Sequence, residues 1–394
     1  MAESKKTYSL VIVIAAFVVG AVLAYALAAG TMGGNSQAGT DTATTSETTE
    51  ASDGSGAAAS TDVATAFPSW NADSPALAKL TAFVEDVTDE SSANYVEPKD
   101  RIATFDMDGT VLCERAPVYA DYCLLLHRVL DDPSYKADPA TVKLCKQLRA
   151  NADEGVVDGD LNEQKSKAFA DVFKDMTDEE FRAYVNDFLD TVPAEGFEGM
   201  TYGESFYQPM REVVDYLRAN DFDVYMVSAC EREVVRAAVL PRLGIEPDHV
   251  LGTDLGFKAT DQGDEAGIDY NMTQEDKITM YGEMFDECGK LNKVLAIQRE
   301  IGEKPILAFG NSSGDFSMLN YAQSNDAHKG MGVLIVADDL EREYGNEEKA
   351  ASMREEIEKE GWLGVSMRDD WATIYGEGVE RTALVADQEL ANAA

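Results

Sequence analysis

An apolar, β-prone run at 102–105 ends in Asp106, skips one residue to Asp108, and turns at once through Gly109 and Thr110. A strand that delivers two carboxylates to its C-terminal edge places charge where open α/β sheets bind ligands. Carboxylates this close repel each other, so the pair requires a cation or a shared proton beside it. Acidic pairs at strand ends are common, but Asp-x-Asp-Gly-Thr after an apolar strand is far more specific. The stretch predicts a buried strand of a parallel sheet with a charged ligand site at its end.

The surrounding sequence supplies the rest of such a sheet. Apolar strands are predicted at 223–227, 250–251, 306–309, 332–336 and 363–367, with helices at 209–220, 231–240, 293–301, from 315, and at 340–360. Strand–helix alternation points to an α/β fold with a doubly wound parallel, Rossmann-like sheet. Ahead of the first strand, Asp73-Ser74-Pro75 offers a helix cap followed by proline at an early helical position, with Leu77, Leu80, Val84 and Val87 at helical spacing. Between 114 and 208 the apolar stripes are helical, with segments at 139–152 (Asp138 capping, Pro139 first), 163–174 and 178–189. This block follows the first strand directly and is expected over the strand ends as a lid. The folded domain is read as 67–394, with a core at 67–113 and 209–380 and a helical cap at 114–208.

Lys5 and Lys6 precede an uncharged apolar run at 9–29. That is about the ~20 residues a helix needs to cross a bilayer. The lysines predict an N-terminus left in the cytoplasm and a remainder carried outside. Residues 1–30 then act either as a signal peptide, cut near Ala26-Leu27-Ala28, or as a membrane anchor. The run is longer than a usual signal core, which favours the anchor, with secretion as the alternative. The Thr/Ser/Gly-rich stretch at 31–66 has no aromatic residue and is expected to be a disordered linker. Such a coil spans roughly 35 Å root-mean-square.

Lys and Arg number 33 against 73 Asp and Glu, a net charge of −40. Such a surface repels nucleic acid and anionic lipid and attracts divalent cations. Membrane contact is therefore expected through the N-terminal helix only, and nucleic acid is not an expected partner. The five cysteines form no zinc-type spacing. Cys113 and Cys230 each lie just beyond a motif; a disulfide between them and burial as small apolar residues are both open. His127, His249 and His328 share no spacing, and Trp70, Trp362 and Trp371 read as packing residues. The charged run at 341–360 reads as a solvated helix.

Three further pieces lie at or near predicted strand ends. Ser228 closes DVYMVS, where its hydroxyl can donate to a phosphoryl oxygen. Lys293, with Lys290 as runner-up, precedes the 306–309 strand and can stabilise charge on a phosphoryl group in flight. Gly310-Asn311-Ser312-Ser313-Gly314-Asp315 is a turn after a strand, with two oxygen-bearing side chains one helical turn apart. Mg²⁺ takes octahedral oxygen coordination and usually keeps some waters. Asp106, Asp108 through its backbone carbonyl, and Asn311 or Asp315 can supply the protein's share. Asp106 then reads as nucleophile and Asp108 as general acid/base. Thr110 joins Ser228 and Lys293 as a phosphate-binding candidate, and Glu114 is a candidate to face substrate.

The four pieces, in this order, resemble the haloacid dehalogenase superfamily of aspartate-nucleophile phosphatases. The likeness is closest to the phosphoserine-phosphatase-like branch with a helical cap, and it runs over residues 70–375. It implies an aspartyl-phosphate on Asp106, with Asp108 protonating the leaving group and then activating water. It also implies that Ser228 and Lys293 hold the phosphate and that Mg²⁺ bridges phosphate and Asp106. Members with a phosphatase role carry an Asp at the position of Asp108, whereas dehalogenases and P-type ATPases do not. Two departures stand out: Asn311 where many members have Asp, and Ala229-Cys230-Glu231 where glycines are common. The expected activity is Mg²⁺-dependent hydrolysis of a small phosphomonoester outside the cytoplasm. The alternatives are a phosphotransferase using the same intermediate and a catalytically silent surface binding module.

Overall fold

The computed structural model describes residues 63–114, 119–153, 159–285 and 287–383. The predicted membrane span and nearly all of the linker lie outside these residues; Val63–Ala66, read as linker, forms one helical turn. Among the described residues no helix is long and apolar enough to cross a membrane.

The first long helix, α1 (Pro75–Thr88), starts where Ser74 accepts the Leu77 N–H at 3.0 Å. Its apolar face, Leu77, Leu80, Val84 and Val87, is buried. Next comes β1 (Ile102–Phe105), buried at all four positions. The chain then leaves the core for α2 (Ala120–Leu126), a π-type turn at His127–Asp131, α3 (Pro139–Asp153), α4 (Gly159–Val172) and α5 (Asp178–Thr191). A reciprocal cap between Thr177 and Glu180 fixes the start of α5. It returns through β2 (Phe197–Glu198) and α6 (Gln208–Ala219) to β3 (Asp223–Glu231), α7 (Arg232–Leu243) and β4 (Val250–Thr253). A hairpin follows, β5 (Leu255–Ala259) and β6 (Ile278–Met284). Then come α8 (Leu291–Glu300), β7 (Leu307–Gly310), α9 (Phe316–Gln323), β8 (Met331–Val336), α10 (Glu347–Glu360), β9 (Leu363–Ser366) and β10 (Glu380–Arg381).

Six strands form one parallel sheet in the order β4-β3-β1-β7-β8-β9. Helices separate consecutive strands because parallel neighbours need a crossover. The sheet grows to one side of β1 through β3 and to the other through β7. The C-terminal end of β1 is thus the switch point at which open α/β sheets bind ligands. Phe105 of β1 stacks on Phe309 of β7, ring centroids 4.1 Å apart, directly beneath that end.

Two expectations are corrected. First, the lid is not only the helical block after β1. The β5–β6 hairpin, unassigned in the sequence reading, joins it: Met280 N–H reaches Met176 O at 2.9 Å and Asp175 N–H reaches Met280 O at 2.8 Å, just before α5. The acidic loop between β5 and β6 is ordered around Asp276, whose carboxylate accepts Asp261 N–H (2.9 Å), Thr273 N–H (2.8 Å) and Tyr270 O–H (2.8 Å). Second, the charged helix starts at Glu347, not 340. Asp339 caps the Glu341 and Arg342 N–H groups, and Gly345 N–H returns to Asp339 O. Glu343 is buried, accepting from Tyr344 N–H (2.6 Å), the Tyr375 hydroxyl and the Cys113 thiol, and burial pushes its carboxyl up. Of the two readings left open for Cys113 and Cys230, burial without a bridge holds: all five cysteines are buried and unbridged.

The tryptophans pack as expected, Trp70 edge-on to Trp371 and Trp362 against Phe316. His127 packs on Phe188, while His249 lies between Asp223 and Asp248.

Candidate active site

The ladder of β1 runs one step past the strand, where Asp106 N–H donates to Phe309 O at 3.0 Å. The chain then closes tightly. Met107 O accepts the N–H groups of Thr110, Val111 and Leu112 at 3.2, 2.9 and 3.0 Å. Gly109 has φ +77°, and a Cβ there would lie 1.9 Å from Asn311 Nδ2. Glycine is thus required both for the turn and for the approach of the β7 loop.

Asp106 and Asp108 both line a cavity of about 790 Å³ under the lid, within the roughly 300–1,000 Å³ usual for small-molecule sites. Lys293, buried on the first turn of α8, donates to Asp106 Oδ1 at 2.6 Å and to Asp315 Oδ1 at 2.7 Å. The other Asp315 oxygen accepts Asn311 N–H at 3.0 Å and Ser312 N–H at 3.1 Å. Burial and the Asp315 charge push the Asp106 carboxyl above the ordinary range, with Lys293 drawing it back. Burial works against the Lys293 charge, but the two carboxylates outweigh it and hold the ammonium above its ordinary value. Two carboxylates and one ammonium leave this buried group short of one positive charge.

Asp108 accepts Ala120 N–H at 3.0 Å from the start of α2. Burial pushes its carboxyl up to about 6; the charges of Glu114 and Glu231 push the same way, and Ala120 N–H and Lys293 oppose them. A carboxyl of this kind holds a proton for part of the time near neutral pH, as a general acid must.

The predicted residues separate into those that converge and those that do not. Asp106, Asp108, Ser228, Lys293, Asn311 and Asp315 all line the cavity. Ser228 is buried, with its hydroxyl accepting Cys230 N–H at 3.2 Å. Lys290 sits exposed at the rim with φ +52°, so the internal ammonium is Lys293. Glu114 lies on the cavity wall, ion-paired to Lys349 at 2.9 Å. Thr110 is the correction: its side chain is fully buried, its hydroxyl has no partner, and it does not line the cavity. The tight turn at Gly109 points it into the core.

Mg²⁺ suits the donors present. Among the described residues Asp106 keeps one carboxylate oxygen without a protein donor, Asp108 can offer its backbone carbonyl, and the site is short of positive charge. Asn311 is buried beside them and can offer its side-chain oxygen. Asp315 has both oxygens engaged by Lys293 and the loop amides, so Asn311 is the better loop ligand.

Residues without a motif complete the wall facing Asp108. Asp121 and Tyr122 of α2, Lys165 of α4 and Glu231 at the end of β3 all line the cavity. Sequence reading placed Glu231 at a helix start and saw the other three only as cap positions. The sole available signal was the departure from glycine after Ser228.

The model of the haloacid dehalogenase-like hydrolase family matches residues 103–320. No curated protein matches the chain. Solved structures similar to it include the following three. A conserved, functionally unknown protein from Anaerococcus prevotii is 16% identical, with TM-score 0.48, covering 75% of this chain and 92% of that one. A protein of unknown function from Bordetella pertussis is 16% identical, with TM-score 0.43, covering 67% and 97%. A phosphoserine phosphohydrolase-like protein from Francisella tularensis is 12% identical, with TM-score 0.37, covering 64% and 92%. The family model spans Asp106, Asp108, Ser228, Lys293, Asn311 and Asp315, and this chain belongs to the haloacid dehalogenase-like hydrolase family.

Proposed function

We propose that the protein is a Mg²⁺-dependent phosphatase that hydrolyses a small phosphomonoester through a phosphoryl group carried on Asp106. The observation that carries this is the buried Asp106–Lys293–Asp315 chain with Asp108 beside it in one cavity. One carboxylate oxygen of Asp106 attacks phosphorus, leaving the other for Lys293 and the metal. The bond from phosphorus to the ester oxygen breaks, and Asp108 delivers its proton to that oxygen. Asp108, now a carboxylate, takes a proton from water, which attacks phosphorus and breaks the bond to Asp106. Lys293 and Ser228 stabilise the charge on the phosphoryl oxygens. A carboxylate oxygen of Asp106, the backbone carbonyl of Asp108 and Asn311 would hold Mg²⁺, which would supply Lewis-acid charge stabilisation.

The lid encloses the cavity and favours small substrates over phosphoproteins. Transfer to an alcohol instead of water would use the same intermediate, and product analysis with an added alcohol separates the two. The presence of both Asp106 and Asp108 speaks against a silent binding module. The apolar run at 9–29 behind Lys5 and Lys6 supports display outside the cytoplasm. Protease accessibility of the domain on intact cells tests this; protection until lysis would remove it.

Phosphate release by the full chain from an aryl phosphate, with Mg²⁺ and with EDTA, tests the activity. Turnover that vanishes with EDTA and returns with Mg²⁺ supports it. Turnover indifferent to EDTA sinks the metal dependence.

A further inference from the structure

The cavity wall beside Asp108 has a charge imbalance that bears on the leaving group. We infer that the site selects a phosphomonoester whose leaving group carries an ammonium or quaternary nitrogen and no carboxylate, an inference that rests on the phosphatase proposal above.

Asp108 fixes where the leaving group lies, because its carboxyl must reach the ester oxygen. That carboxylate is bonded to Ala120 N–H, and the next residue is Asp121. Asp121 and Glu231 are both buried, and ligand atoms of Asp121, Cys230 and Glu231 lie within 4.8 Å of one another. Lys165 hydrogen-bonds Asp121 and lies 3.3 Å from Glu231 Oε1. Among the described residues, one ammonium against two carboxylates leaves this wall one negative charge in excess. Their other partners among the described residues are neutral: Asp121 also accepts Tyr122 N–H at 2.9 Å, and the second Glu231 oxygen faces the Cys230 thiol at 3.8 Å.

The wall already holds one cation in the required manner. The Lys165 ammonium rests over the Tyr122 ring, 4.8 Å from its centroid, between the carboxylates. Tyr119 adds a second ring, edge-on to the first at 5.9 Å. Carboxylates and tyrosine faces together are the chemistry that recognises alkylammonium groups.

The whole cavity leans the same way. Among the described residues seven carboxylates and three lysines line it, and Lys349 outside it is paired with Glu114. With Lys349 and a divalent cation counted, this lining still carries one negative charge, and the phosphate dianion adds to it. A positive leaving group offsets that charge; a carboxylate adds to the repulsion.

The test is kcat/KM of the full chain with Mg²⁺ for size-matched aminoalkyl, trimethylammonioalkyl, hydroxyalkyl and carboxyalkyl phosphates, beside an aryl phosphate. Both cationic esters are expected to exceed the hydroxyalkyl ester by about ten-fold, mainly through KM, with the carboxyalkyl ester poorest. Asp121→Asn and Glu231→Gln should each cut that preference by about three-fold or more. The free amino alcohol should inhibit competitively, a readout that needs no variant. Turnover of the aryl phosphate with the neutral or carboxylate ester used as well as the cationic ones overturns the inference and leaves the phosphatase proposal standing. No hydrolysis of any of the five, with no phosphoryl group on Asp106, overturns the phosphatase proposal and this inference with it.

Discussion

Lys293 and Asp106 meet at 2.6 Å in the interior of the protein, at the C-terminal end of the central strand. The same ammonium holds Asp315 at 2.7 Å, and Asp315 in turn holds the amides of the loop that carries Asn311. One lysine thus joins the nucleophile's strand to the loop after β7.

Removing that lysine strands two buried carboxylates. Lys293→Met is expected to lower kcat by about 10²–10³-fold. It should also destabilise the fold by about 3–5 kcal/mol, since breaking a buried ion pair leaves uncompensated charge. Adding Asp315→Asn should restore part of the stability and none of the activity. Steady-state kinetics and thermal unfolding of the two variants check this; recovery of activity in the double variant contradicts it.

The role of Asp108 predicts a pH signature. The proton it donates is present below its pKa, which burial raises to about 6. For an alkyl phosphate, kcat/KM should fall as pH rises through this value. An aryl phosphate, whose leaving group needs little protonation, should show a shallower fall. Asp108→Asn should harm the alkyl ester more than the aryl one. Equal profiles for both esters would remove Asp108 as the acid.

Gly109→Ala meets two obstacles, a φ of +77° and an Asn311 side-chain nitrogen 1.9 Å from the new Cβ. The strain should cost about 1–3 kcal/mol. Displacement of Asn311 should also raise the Mg²⁺ concentration needed for half-maximal turnover. A variant with normal metal dependence would detach Asn311 from the metal.

Thr110→Val should leave turnover within about two-fold and keep or raise stability, because it removes a buried hydroxyl that has no partner. A large loss of phosphate affinity would return Thr110 to the phosphate-binding set.

The legible parts of the molecule were those in which one segment states its own structure. Buried strands such as Ile102–Phe105 and Met331–Val336 read as apolar runs because both faces are covered. Asp106, Asp108, Lys293, Asn311 and Asp315 were found because each follows or precedes such a strand. Thr110 was misplaced because the direction of a side chain after a positive-φ glycine is set by the turn, not by proximity in sequence. The stretch at 341–345 has a helical composition, yet Asp339 and Gly345 fold it into a turn and bury Glu343, a tertiary outcome that local propensity does not register. Asp121, Lys165 and Glu231 come from three distant segments, and only the packing of the lid on the core makes them neighbours.

The most direct test of the central claim is to quench the full chain in acid during turnover of an aryl phosphate and locate the phosphoryl group by mass spectrometry. Asp108→Asn should accumulate the modification, because its departure needs the base. The account predicts one added phosphoryl group on the peptide containing Asp106, absent from Asp106→Asn. Turnover with no covalent phosphoryl group in either form, or with the group on a different residue, contradicts it.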